Sequence, residues 1–93
     1  MEAMNHWKTL LTQWPEDLAR SGVIVASFDE QIPFVGFMTS ESMVLLQRRA
    51  PDTLGARQVM LPYDKIEAIK IVDVVKPKRF AAFGFQGTLP GVG

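Results

Sequence analysis

Two hydrophobic periods divide this chain. Near the start, Trp7, Leu10, Leu11 and Trp14 recur at helical spacing. That spacing predicts a helix over residues 5–13, with Asn5 as N-cap, its side-chain oxygen accepting an orphan N–H of the first turn. Pro15-Glu16-Asp17 has the chemistry of a second helix start: a fixed φ, then acids at the positive end of the dipole. Leu18-Ala19-Arg20-Ser21 continues that expected helix, and Gly22 closes it.

Beyond Gly22 the period shortens to two. Val23-Ile24-Val25-Ala26-Ser27-Phe28 is β-branched and reads as a first strand, followed by a turn at Asp29-Glu30-Gln31. A second strand runs from Phe34 to Met38, with Pro33 at its entry and Gly36 marking a bend. After the polar turn Thr39-Ser40-Glu41-Ser42 comes a third strand, Met43 to Arg49. The Pro-Asp and glycine of residues 50–56 make a loop. A fourth strand follows at Arg57–Leu61. Pro62-Tyr63-Asp64-Lys65 is a tight corner with the character of one 3₁₀ turn. A fifth strand is expected over Ile66–Val75, with Ile69, Ile71 and Asp73 on one face and Lys70, Val72 and Val74 on the other.

Lys76-Pro77-Lys78-Arg79 interrupts the pattern. The remainder holds Phe80, Phe83 and Phe85 among four glycines, a poor helix and a poor strand. It predicts an extended arm over 80–93 whose phenylalanines dock, behind one domain at 1–79. Five short strands with turn signals about every 8–12 residues predict an all-β fold, and five strands behind a helix fit a small five-stranded antiparallel SH3-type barrel with an N-terminal helix better than a sandwich.

The element order over about residues 7–75 resembles that of the Sm-like barrels. Gly36 falls where that family bends its second strand. Leu61-Pro62-Tyr63-Asp64-Lys65-Ile66 falls where the family carries an apolar residue, Arg or Lys, Gly, any residue, Asn and Ile. The resemblance implies a ring of several copies and RNA binding. Pro62-Tyr63 replaces the family's Arg-Gly, and Lys65 replaces its Asn. Ser40-Glu41-Ser42-Met43-Val44 stands where the family's uracil-holding Asp and Asn would be. Most residues that read RNA in that family are therefore replaced here.

Composition narrows the functions. At 93 residues, 47% hydrophobic and 22% charged, the chain has room for one globular domain with a modest core. Association is a usual remedy for a small core. The absence of cysteine removes disulfides, thiol chemistry and Cys-based metal sites. No basic-then-apolar leader begins the sequence, and no stretch approaches the roughly 20 apolar residues of a membrane span. A cytoplasmic protein without membrane contact is expected. Net charge is zero but unevenly spread. Residues 1–46 hold six acids (Glu2, Glu16, Asp17, Asp29, Glu30, Glu41) against Lys8 and Arg20, net −4. Residues 47–93 hold four acids (Asp52, Asp64, Glu67, Asp73) against eight bases, net +4. This asymmetry suits either an anionic partner or self-association of unlike halves.

No catalytic constellation emerges. His6, the single histidine, has no nucleophile to activate, and adjacent Asp29-Glu30 solvates a turn. No enzyme, metal or cofactor is expected. Arg48, Arg49, Arg57 and Lys65 form a candidate basic rim for nucleic acid, with Tyr63 as a stacking residue or, alternatively, a barrel-end cover. The alternative for Arg48-Arg49 is a pair of solvated edge charges. Val59, Leu61, Ile69, Ile71, Val72, Phe80, Phe83 and Phe85 are the candidate oligomer interface. The expected function is a non-enzymatic ring-forming scaffold with self as partner and RNA as a weak ligand. The alternative is a protein-interaction domain acting as monomer or dimer through its aromatic tail or the face of its second and third strands.

Overall fold

The computed structural model describes residues 6–90. Helix α1 spans His6–Thr12. Strands follow at β1 (Gly22–Ala26), β2 (Gln31–Phe34), β3 (Gly36–Thr39), β4 (Met43–Gln47), β5 (Gln58–Pro62) and β6 (Ile66–Lys70). Short 3₁₀ segments lie at Ser27–Asp29, Tyr63–Lys65 and Pro77–Phe83. The expected Asn5 cap and the ends of the expected domain and arm, residues 1–5 and 91–93, lie outside the described residues.

The six strands form two three-stranded antiparallel sheets, ordered β2-β1-β6 and β3-β4-β5. This corrects the expected five-stranded closed barrel. The second predicted strand is two strands in different sheets. The chain changes partner between Phe34, which pairs with Gly22 of β1, and Val35, whose N–H donates to Gln47 O at the end of β4. The second crossing, from β5 to β6, runs through the 3₁₀ corner. Among the described residues no strand of one sheet pairs with a strand of the other, so the ladder does not close.

Both sheets contribute to one core. Ile24, Ala26, Ile32, Phe34 and Ile66 come from the first sheet and Phe37, Val44 and Leu46 from the second. Leu11, Trp14 and Leu18 cover it from the N-terminal segment. Each valine, leucine, isoleucine or phenylalanine among them stabilises the fold by about 1.5–3 kcal/mol when taken fully out of water. Trp14 meets Phe37 edge-on at 5.3 Å, and Phe37 meets Phe34 edge-on at 5.8 Å.

Other boundaries also move. The helix expected after Pro15 is a turn. Its indole neighbour explains why: Trp14 Nε1 donates to the carbonyls of Leu18 and Ala19 at 3.2 and 3.3 Å. Gly22 therefore opens β1 instead of capping a helix. A Cβ there would stand 2.6 Å from Lys70 O, so the close approach of β1 and β6 requires glycine. The first strand stops at Ala26 because Phe28 and Asp29 take left-handed φ values of 65° and 61°. The fifth predicted strand ends at Lys70 instead of Val75, since its ladder partner on β1 is Val23, near the start of that strand. Glu67 is an extra residue at a bulge: Val25 pairs with Ala68 while Ala26 pairs with Ile66. The supposed extended arm begins as 3₁₀ turns, with Phe80 packed on the core and Gly84 in a left-handed cap.

Candidate functional site

The β4–β5 connection gathers the basic residues. Arg48 and Arg49 leave β4 and Arg57 enters β5, and Arg48 N donates to Arg57 O at 2.9 Å. The loop between them is ordered by Asp52. Its Oδ1 accepts the N–H groups of Leu54 at 2.8 Å and Ala56 at 2.9 Å. These bonds hold the Asp52 carboxyl below its usual range. The carboxylate's contribution to the loop is thus complete above the ordinary carboxylate range and is lost as pH falls through the lowered one. Gly55 supplies the left-handed residue, φ 89°. Leu54 is left at the tip, 93% exposed.

The predicted rim is not continuous. Lys65 lies past the opposite end of β5, about 15 Å away along a five-residue strand. Tyr63 lies there too, only 3% exposed, and its hydroxyl donates to Ser40 O at 2.7 Å. Burial raises its pKa. The ring covers the core end and offers no face to a base, which is the packing alternative weighed for this residue. That end of the molecule is tied further by Lys8 Nζ, which donates to Glu41 Oε1 at 2.8 Å.

The expected interface residues divide. Val59, Leu61, Ile69, Ile71 and Phe80 are half-buried and pack on the chain's own core. Phe83 is half-buried beside Phe80. Val72 and Phe85 are largely exposed. The second sheet's outer face carries an apolar row that sequence reasoning missed, Met38 opposite Leu45 opposite Met60. Its signal was the alternation of Val59, Met60 and Leu61, in which Met60 takes the face opposite to its neighbours.

The strand edges differ from one another. On β2, Pro33 removes a donor. On β3, the Phe37 carbonyl accepts Arg20 Nη1 at 3.1 Å while the guanidinium sits 4.4 Å from the Phe37 ring centroid. β5 and β6 each end a sheet; β5 closes on Pro62, which also lacks a donor, and β6 carries the Glu67 bulge, but among the described residues no side chain bonds a backbone carbonyl of either strand as Arg20 does on β3.

A groove of about 690 Å³ lies between α1 and the tail, its lining including His6, Trp7, Leu10, Phe83 and Phe85. Among the described residues no three His, Cys, Asp or Glu side chains converge as metal ligands. No helix among them is long and apolar enough to cross a membrane. Comparison with protein-family models, curated proteins and solved structures finds no match.

Proposed function

We propose that this chain is a non-enzymatic self-assembling module, in which β5 of one copy pairs with β6 of the next and repetition closes a ring or scaffold. The observation that carries this reading is that β5 and β6 each end a sheet with no side chain bonded to their backbone carbonyls among the described residues, whereas Arg20 occupies one on β3. An open strand edge presents a row of backbone donors and acceptors that template pairing with another chain. Because the two open edges belong to different strands, the contact is heterologous, and such contacts close into rings when the rotation allows. The 3₁₀ corner between β5 and β6 is the element shared with Sm-like proteins, for which ring assembly is the implied state. RNA binding has less support: of the five candidate residues, three arginines share one end, while Tyr63 is buried and Lys65 is remote.

Light scattering on a size-exclusion column tests the proposal. The expected mass is that of about five to seven copies. Met60→Lys places a charge on the outward position of β5 without entering the core, and should shift the mass toward the monomer with an unchanged circular dichroism spectrum. A monomeric wild type would sink the proposal. The groove between α1 and the tail, apolar and aromatic, would then favour an interaction module for an apolar segment of another protein.

A further inference from the structure

Two of the hairpin loops hold an apolar side chain out in water, and they differ in charge. Leu54, at the tip of the β4–β5 loop, is 93% exposed, and Phe28, in the β1–β2 loop, is 99% exposed. Phe28 is followed by Asp29 and Glu30, whereas Leu54 stands among Arg48, Arg49 and Arg57. Asp52 is the only acid between residues 48 and 57, and its Oδ1 is turned into the loop, onto the N–H groups of Leu54 and Ala56. Arg48 is half-buried, its Nε donating to Ala50 O at 3.2 Å. Arg49 and Arg57 are exposed, and among the described residues neither has an ion-pair partner. Asp52 N donates to Ala56 O and Gly55 N to Asp52 O, both at 3.0 Å, so the tip is fixed before anything binds to it.

A nucleic acid would use the arginines and leave Leu54 in water, and Tyr63, the one stacking candidate, is buried at the other end of β5. An anionic bilayer matches both features at once, with charged headgroups for the arginines and an acyl boundary beneath them for the leucine. We infer that the β4–β5 loop docks this chain on an anionic lipid surface, Leu54 entering the headgroup–acyl boundary while Arg49 and Arg57 face the headgroups. The expectation of no membrane contact rested on the absence of an apolar run long enough to span, and an interfacial contact needs none. One leucine and two arginines bind weakly in a single copy. A ring of copies sets the same loop of each on one side and multiplies the contact, but the inference stands without such assembly.

Cosedimentation with vesicles at millimolar lipid and low salt tests this, using phosphatidylcholine alone or with about a quarter phosphatidylserine. The wild type should sediment with the mixed vesicles and not with the neutral ones. Leu54→Ser should lower the partition coefficient about tenfold. Arg49→Ala and Arg57→Ala should each lower it about fivefold. Phe28→Gly, in the acidic loop, should leave it unchanged. Because the chain has no cysteine, Leu54→Cys carries a single environment-sensitive fluorophore, whose emission should move to the blue on the mixed vesicles. A wild type that ignores the mixed vesicles overturns the inference. So does vesicle binding that Leu54→Ser leaves intact, which would make the arginines a general polyanion site. Tighter binding to a single-stranded oligouridylate, equally indifferent to Leu54→Ser, would overturn it in favour of RNA.

Discussion

The outer strands of the two sheets are finished by different means. β2 and β5 each hold a proline, Pro33 and Pro62, and β6 holds the Glu67 bulge, whereas β3 has a carbonyl occupied by the Arg20 side chain. A proline or a bulge removes one ladder position and leaves the neighbouring carbonyls free; a guanidinium occupies a carbonyl directly. Each prediction below alters one side of that difference.

The largest effect should come from disturbing an open edge from within. Gly22→Ala puts a Cβ 2.6 Å from Lys70 O, a backbone atom that can retreat only by moving β6. Such overpacking costs about 1–3 kcal/mol, which a chemical denaturation curve resolves. Because Lys70 ends β6, assembly should weaken as well. A variant of unchanged stability would show that β1 and β6 are less closely held than their pairing implies.

Arg20→Ala attacks a blunted edge instead. It removes a charge-assisted hydrogen bond to Phe37 O and a guanidinium from the Phe37 ring. The loss should be about 1–2 kcal/mol. It also frees the Phe37 carbonyl on the β3 edge, so light scattering should report irregular larger species that the wild type lacks. Arg20→Lys should recover little, since a lysine cannot stack and donate in the same plane. If Arg20→Ala loses stability without changing association, the residue is a packing element and β3 was never at risk.

These contrasts show why only part of the molecule was legible in its sequence. The helix expected over residues 5–13 and the corner at 62–65 follow from local spacing and turn chemistry, and they are present as α1 at His6–Thr12 and the 3₁₀ turn at Tyr63–Lys65. Arginines 48, 49 and 57 were legible as neighbours because a hairpin folds their strands together. Lys65 was not, because the length of β5 separates it from them. Of the sheet change at Val35, only the bend was legible, in the glycine at position 36: Gly36 keeps an ordinary φ, and nothing local says which strand the backbone pairs with next. Alternation likewise shows that Val59, Leu61 and Ile69 are covered, but not whether their cover is this chain or another. Here it is this chain for Val59, Leu61 and Ile69, whereas Met60 between Val59 and Leu61, and Val74 beside Val75, are exposed although these neighbours are not.

The smallest effect concerns a loop rather than an edge, and its sign is opposite. The β1–β2 connection puts Phe28 at φ 65° and ψ 27° with its side chain 99% exposed. The β4–β5 loop meets the same need for a left-handed residue with Gly55. A left-handed conformation costs a residue with a Cβ about 1–2 kcal/mol, and no packing on this chain offsets it at Phe28. Phe28→Gly should therefore raise stability by about 0.5–1 kcal/mol, the gain reduced by glycine's greater freedom in the unfolded chain. Solution mass should not change, since the β5 and β6 edges are untouched. Were the mass to fall instead, the aromatic ring would be part of the contact between copies, and the strain at this turn would be the cost of holding it outward.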